Sequence, residues 1–263
     1  MLKQQEVIPV VVQGSEQTLK FHGKEIIRNA IFFDLEHYLY KEPIAIGVFG
    51  AAVYDEAEKA VITTQYMIEN KRDARAILEL TKEYFINQKN NGKQYLVTFS
   101  GNNDFLVINH LYQKYDISYS FEEEFELIDL QKEYEHKFQK NIGLKNLEKL
   151  HQIDRGGELI SGMTLAKTFS KIIKDQGYFD RMPLEKVEKI LKYNEEDVVN
   201  LFNIMNRWES VTMDDVLILE EKLHREKMEK LALKALLEEQ IELEKEESNQ
   251  PFKGQKEELG YSS

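Results

Sequence analysis

The 263-residue sequence contains no cysteine and no long hydrophobic run. Without cysteine there is no disulfide, no thiolate zinc site and no cysteine nucleophile. No stretch approaches the roughly 20 apolar residues that span a membrane, and the N-terminal residues lack the basic and apolar regions of a secretory signal. These absences are compatible with the cytoplasm, and we predict a cytoplasmic protein with no membrane partner.

Positive charge is also scarce. The formal net charge of −12 argues against a protein that coats nucleic acid non-specifically. Residues 209–263 contain 15 acidic and 8 basic side chains, which leaves a net charge of −5 on residues 1–208. If several acids there neutralise bound metal ions, the effective charge lies closer to zero. The acidic balance therefore weakens a nucleic-acid function without excluding it.

The apolar pattern predicts an α/β fold with a five-stranded mixed sheet flanked by helices. The first predicted strand begins at residue 30, and the other four cover residues 44–54, 60–68, 94–99 and 125–130. The predicted helices cover residues 73–87, 103–115, 144–150, 164–173 and 184–207. Residues 6–12 and 17–22 alternate weakly around residues 14–16 and predict an N-terminal β-hairpin extension.

Four regions follow from this pattern: an N-terminal β extension (1–29), a central α/β domain (30–208), a charged C-terminal helix (209–247) and a disordered tail (248–263). The helical pattern of residues 213–247 is rich in Glu, Lys and Leu but keeps no strict heptad. It is therefore either a solvated helix or a site for a protein partner.

The first acidic motif, residues 30–36, runs from four apolar residues into Asp-Leu-Glu. The apolar run is typical of a buried central strand. Because side chains alternate along a strand, Phe32, Asp34 and Glu36 face the same side. Two acids at the carboxyl end of a strand repel each other unless a cation lies between them, and Mg²⁺ prefers carboxylate oxygens. In the alternative interpretation the strand has ended and both acids are solvated in a loop.

The second acidic motif lies where the fourth predicted strand gives way to a helix. Gly101 permits a sharp turn, and one of the two asparagines after it is expected to cap the helix. Asp104 then lies in the first helical turn. On its own this pattern is only a helix start. The fourth strand of such a sheet ends beside the first, however, so Asp104 can approach Asp34.

The third acidic motif lies on the last predicted helix of the central domain. A stripe of residues spaced by three or four shares one face of that helix: Ile190, Tyr193, Asp197, Leu201 and Ile204. Asp197 interrupts this otherwise apolar stripe, and a buried carboxylate is costly without a counter-charge. Glu195 and Glu196 are expected on a solvated face.

Three separate segments thus supply four acids, Asp34, Glu36, Asp104 and Asp197. This set meets the requirement of two-metal phosphoryl chemistry, in which two Mg²⁺ ions lie about 4 Å apart. We predict such a site, with Mn²⁺ as a substitute for Mg²⁺. Asp129, at the end of the fifth strand, is expected either to cap the strand end or to support the site.

These motifs resemble the DEDD exonuclease (DnaQ-like) branch of the ribonuclease H-like fold, and the sequence is most similar to the YprB-type domain. The resemblance covers residues 30–208. Tyr193, four residues before Asp197, matches the tyrosine subtype, whereas the histidine subtype has histidine at the position of Lys192. The second motif is one residue shorter than the family pattern, and Phe105 follows the acid instead of preceding it.

The resemblance implies a metal-dependent 3′–5′ exonuclease that acts on single-stranded ends of DNA or RNA. It implies that Asp34, Glu36 and Asp197 hold the metal ion on the nucleophile side. Asp34 is then shared between the ions, and Asp104 reaches the second one. Tyr193 is implied to orient the attacking water.

Two other functions stay open. A ribonuclease H-like module that has lost catalysis would bind nucleic acid or a partner protein, which the acidic charge and the irregular second motif allow. Alternatively, the chain is a scaffold for the helix of residues 213–247. The presence of all four acids together with Tyr193 favours the enzyme.

Overall fold

The computed structural model describes residues 1–157 and 159–248. The chain divides into two compact units, Met1–Thr212 and Met213–Ser263. The disordered tail predicted for residues 248–263 falls, after Ser248, outside the described residues. No helix in the described part of the chain combines the length and the apolar character needed to cross a membrane.

A six-stranded mixed sheet forms the centre of the first unit. In chain order the strands are β1 (Leu2–Pro9), β4 (Ala30–Tyr40), β5 (Glu42–Asp55), β6 (Ala60–Met67), β7 (Tyr95–Thr98) and β8 (Glu126–Asp129); β2 (Lys20–Phe21) and β3 (Lys24–Glu25) form a separate small hairpin. The order across the sheet is β1-β6-β5-β4-β7-β8. The first four strands in this order pair antiparallel, whereas β4, β7 and β8 pair parallel.

Within the described residues of the first unit, seven α-helices follow or connect these strands. They are α1 (Asp73–Asn90), α2 (Asn102–Lys114), α3 (Phe121–Glu124), α4 (Leu130–Phe138), α5 (Leu144–Leu150), α6 (Gly162–Lys174) and α7 (Leu184–Asn206). The second unit contains α8 (Met213–Ser248). The predicted α/β class, the mixed sheet with flanking helices and the C-terminal helix are confirmed.

Alternation along β4 sends neighbouring phenylalanines to opposite faces of the sheet. Phe32 packs edge to face against Phe202 of α7, with ring centroids 5.6 Å apart. On the other face, Phe33 contacts Phe85 of α1 at 5.4 Å and Phe105 of α2 at 6.0 Å. Complete burial of one such side chain contributes about 1.5–3 kcal/mol. The face of β4 that carries Phe32 is therefore the face covered by α7.

The N-terminal segment differs from the prediction. β1 is a sixth strand of the sheet, paired along its whole length with β6, and the hairpin expected around residues 14–16 is not formed. Instead the chain passes to the end of α7, where the Gln13 backbone N–H donates to Asn206 Oδ1 at 2.8 Å. A weakly alternating pattern predicts a strand but not its partner, and here the partner comes later in the chain.

Gly50 of β5 sets how closely α7 approaches the sheet. In the strand register Gly50 lies opposite Asp34 of β4. A Cβ atom at Gly50 would lie 2.0 Å from the Oδ1 atom of Asn194, a residue of α7. The missing side chain thus lets the helix of the third motif pack directly on the strands of the first.

Gly50→Ala is expected to lower the free energy of unfolding by about 1–3 kcal/mol, the usual cost of overpacking a core. Gly143→Ala is the matched control, because a Cβ atom there meets nothing within 4 Å. Denaturant titration of wild type and both variants measures the difference. Equal stability of the two variants would show that Asn194 moves aside without cost.

Removal of every residue after Thr212 is expected to leave a cooperatively folded protein, because residues 1–212 form a compact unit of their own. Thermal melting followed by near-ultraviolet circular dichroism tests this expectation. A broad, non-cooperative transition in the truncated protein would contradict it.

Candidate metal centre

The two acids of the first motif lie within β4 and not at its end. The strand continues past Glu36 to Tyr40, so the expectation that it ends at the motif is wrong, and so is the alternative of a solvated loop. β7 pairs with β4 only over residues 30–32. Asp34 therefore lies where β4 extends past β7 and keeps β5 as its strand partner. Because β7 does not pair with β4 at Asp34, side chains from the helices can approach Asp34 on that side.

The third motif brings Asp197 to these acids. α7 covers the Phe32 face of β4, and the Asp197 side chain on this helix is buried. Ligand oxygens of Asp34, Glu36 and Asp197 lie within 4.8 Å of one another. Acids that are far apart in the sequence thus share one small volume.

Asp104 lies outside the set of three acids whose ligand oxygens are within 4.8 Å of one another. It is in the first turn of α2, as predicted, and is buried. The N-cap of α2 is Gly101 and not an asparagine. The charge of Asp104 raises the pKa of both Asp34 and Glu36, which shows that it lies within electrostatic range of them.

Asp129 caps the elements next to Asp104. Its Oδ1 atom accepts hydrogen bonds from the backbone N–H of Gln131, at the start of α4, at 3.0 Å and from that of Ser100 at 2.8 Å. The predicted capping role is confirmed. Its charge also raises the pKa of Asp104.

Burial raises the pKa of all four carboxyl groups, although the charges of Arg155 and Lys145 partly oppose the rise at Asp197. Burial is the largest cause in each case, and neighbouring carboxylates add to it. The pKa is raised to about 8 for Glu36, to about 7 for Asp104 and to about 6 for Asp197. That of Asp34 lies well above its usual value. The cluster therefore resists full ionisation in the absence of a cation.

Asp34 is held by a chain of amides. Asn194 Nδ2 donates to Asp34 Oδ2 at 3.0 Å. Gln65 Nε2 in turn donates to Asn194 Oδ1 and to the Leu191 carbonyl, each at 2.8 Å. Because Gln65 is on β6 and Asn194 is on α7, this chain fixes the helix over the sheet. The sequence carried no signal for it, since amides are common in both elements.

Tyr193 lies one helical turn before Asp197 and is half-buried. Burial raises the pKa of its hydroxyl, and the charges of Asp197 and Glu36 raise it further. The hydroxyl therefore keeps its proton at neutral pH. Two cations flank the ring, with Lys145 Nζ 5.1 Å and Arg155 Cζ 5.5 Å from its centroid.

The expectation that Glu195 and Glu196 lie on a solvated face is wrong, because both are buried. Lys192 Nζ donates to Glu195 at 2.5 Å. Glu196 Oε1 accepts the backbone N–H groups of Gly156 and Gly157, each at 2.9 Å. The second half of α7 is thus covered on several sides, which a single apolar stripe does not predict.

Arg155 is the main residue of the site whose contacts the sequence did not predict. Its Nη2 atom forms an ion pair with Asp197 Oδ1, while Nε and Nη2 donate to the two oxygens of Glu148 at 2.8 and 2.6 Å. Burial opposes the charge of Arg155, but these acceptors outweigh it and raise the pKa.

The donor set fits a hard divalent cation. Three carboxylates offer oxygen ligands within mutual reach, and such ligands suit Mg²⁺ and Mn²⁺. The raised pKa values of Glu36 and Asp197 indicate that their ionised forms are destabilised in the folded protein. A bound cation would stabilise those forms. The cluster is therefore consistent with metal binding.

A search among curated proteins gives no match to this chain. A family model described as the RNase H superfamily matches residues 31–209, which is more than half of the chain. The matched range begins in β4, contains the acids of all three motifs and ends just after α7. The chain therefore belongs to the RNase H superfamily.

Proposed function

We propose that this protein is a metal-dependent nuclease, a 3′–5′ exonuclease that hydrolyses phosphodiester bonds at single-stranded ends of DNA or RNA. Membership of the RNase H superfamily supports a nuclease that binds nucleic acid. The convergence of Asp34, Glu36 and Asp197 carries the proposal. Tyr193, one turn before Asp197, supports the tyrosine subtype of the DEDD group and the YprB-type domain within it.

In this proposal Asp34, Glu36 and Asp197 would hold one Mg²⁺ ion, and Asp104 with Asp34 would hold a second. Mn²⁺ takes the same ligands. When bound, the ions supply a metal-activated water and stabilise charge on the leaving oxygen. The ligands contribute oxygens that are already gathered before binding, so little ordering remains to be done.

Tyr193 positions the attacking water. Its protonated hydroxyl both donates and accepts hydrogen bonds, and its half-exposed position beside Asp197 leaves it accessible to a water molecule. The Arg155 guanidinium group lies 5.5 Å from the centroid of the ring. Asn194 fixes the orientation of Asp34 from the other side.

One observation favours the second candidate, a catalytically inactive module that binds nucleic acid or protein. Asp197 already has a counter-ion in Arg155, as a site that has lost its metal would. The possible protein partner of residues 213–247 and the cytoplasmic location stay predictions. α8 supplies the helix for such a partner but does not identify one.

Without divalent metal, the site should destabilise the protein as the pH rises. In the folded protein Glu36, Asp104 and Asp197 retain protons up to about pH 8, 7 and 6, whereas in the unfolded chain such groups ionise near pH 4. The folded state thus binds more protons between about pH 4 and pH 8, so this contribution to the free energy of unfolding falls as the pH rises through that window. Melting at pH 5 and pH 8 with EDTA measures it.

Addition of Mg²⁺ at pH 8 should restore the lost stability, because the cation binds only the folded cluster. Glu36→Gln is the control, since it removes a carboxyl group whose pKa is raised to about 8 and should lose less stability between pH 5 and pH 8. A wild-type melting temperature that does not respond to Mg²⁺ or Mn²⁺ at pH 8 would contradict the metal site.

Tyr193→Phe and Asp197→Asn separate the positioning of water from the binding of metal. The first keeps the ring and all metal ligands, so it should lower kcat by about 10²–10⁴-fold with unchanged Mg²⁺ affinity. The second removes a ligand charge at nearly constant volume and should lose metal affinity and catalysis together. Metal titration and product formation on end-labelled single- and double-stranded DNA and RNA measure both effects.

The position of the label reports the polarity of cleavage. Full activity of Tyr193→Phe would show that the Tyr193 hydroxyl has no part in the mechanism. Wild-type protein that leaves every oligonucleotide uncut in Mg²⁺ and in Mn²⁺, but still binds one, would establish the inactive binding module instead.

A further inference from the structure

Arg155 is a buried cation placed between two buried acids. Its side chain is 8% exposed, that of Glu148 is 3% exposed and that of Asp197 is 8% exposed. Two parallel hydrogen bonds to Glu148 fix the plane of the guanidinium group. The same Nη2 atom reaches Asp197 Oδ1. A flexible ammonium group does not reproduce this fork of donors.

Glu148 is itself tied to the helix that carries Asp197. Asn200 Nδ2 donates to Glu148 Oε1 at 2.9 Å. Asn200 follows Asp197 by three residues, so the two side chains lie on neighbouring positions of the same face of α7. Glu148 on α5 and Asp197 on α7 are therefore held on either side of one guanidinium group.

The backbone next to Arg155 is tied to α7 by a second, separate contact. Glu196, the residue before Asp197, accepts the N–H groups of Gly156 and Gly157. A Cβ atom at Gly157 would lie 3.1 Å from Glu196 Oε2, so a glycine there suits this close approach. Hydrogen bonds thus hold both the Arg155 side chain and the backbone that follows it against one turn of α7.

The charges of Arg155 and its partners also bear on how the cluster attracts a cation. Arg155 forms its two-point ion pair with Glu148, which is not one of the four acids of the metal cluster. At Asp197 the charge of Arg155 lowers the pKa and that of Glu148 raises it, so Glu148 offsets part of the effect of Arg155 and the four acids keep a net attraction for a cation. A guanidinium group whose role was to replace the metal would have no need of a dedicated buried carboxylate.

We infer that Arg155 is a positioning residue for the metal centre: it holds Asp197 through Oδ1 and the ring of Tyr193 through its face, so that the other Asp197 oxygen is directed to the metal. This inference rests on the proposed function. Arg155 acts through Asp197 and Tyr193 and has no direct part in bond cleavage.

Lys145 provides a matched comparison. Its ammonium group also lies near the cluster, where its charge lowers the pKa of Glu36 and Asp197, and it contacts the Tyr193 ring. Within the described residues it forms no hydrogen bond with Asp197. Arg155→Gln and Lys145→Gln therefore each remove one positive charge from the same region, but only the first removes the group that orients Asp197.

The experiment is a calorimetric titration of the full-length chain with Mn²⁺ at pH 8. Lys145→Gln should bind Mn²⁺ as tightly as wild type or more tightly, because a repelling charge is gone. Arg155→Gln should bind it about 10–100-fold more weakly, the usual cost of losing a partner that orients a metal ligand. Arg155→Lys, which keeps the charge but not the planar fork, should also bind more weakly.

Melting in EDTA separates this loss from a general loss of stability, since a merely structural role would lower the melting temperature without a change in the Mn²⁺ affinity of the folded protein. If Arg155→Gln does not fold, Arg155→Lys decides the question. Mn²⁺ affinity equal to or above that of wild type in the folded Arg155 variants would overturn this inference alone. Wild-type protein without Mn²⁺ binding would overturn the proposed function and this inference with it.

Discussion

The gathering of Asp34, Glu36 and Asp197 within 4.8 Å of one another, with Asp104 in electrostatic range of them, is the constraint on which the rest of this structure depends. Packing of α7 and α2 against the sheet removes water from these acids, and the charges of Asp197 and Asp104 then raise the pKa of both Asp34 and Glu36. Such an arrangement costs free energy during folding. The surrounding donors limit this cost, because Asn194 donates to Asp34 and Arg155 to Asp197. The same unbalanced charge is what attracts a divalent cation.

Helix α7 connects fold and chemistry. Its inward residues pack on the strands, and the turn around Asp197 supplies nearly every fixed contact of the site. Asn194 binds Asp34, Glu196 holds the backbone after Arg155, and Asn200 holds Glu148. Small displacements of this one helix would therefore move several groups together, which ties the precision of the site to the packing of the core.

Local patterns could predict much of the fold and the acids of the site. Alternation places Asp34 and Glu36 on one face of a strand, and helical spacing places Tyr193 and Asp197 on one face of a helix; the structure has both arrangements. The prediction that a helix begins near Asp104 also depended only on neighbouring residues. What local pattern could not give was the sixth strand, because β1 pairs with a partner later in the chain.

The sequence by itself thus determined most strands and helices of residues 30–207, the acidic motifs, and the shared faces of Asp34 with Glu36 and of Tyr193 with Asp197, since these depend on neighbours within a few residues. Only the tertiary structure decided that Glu196 is a buried acceptor and that Arg155 lies between Glu148 and Asp197. A charged residue shows no periodicity that distinguishes a solvated position from a buried, paired one. The difference arises from the desolvation and pairing of groups that lie far apart in the chain, and these exist only once the helices have packed on the sheet.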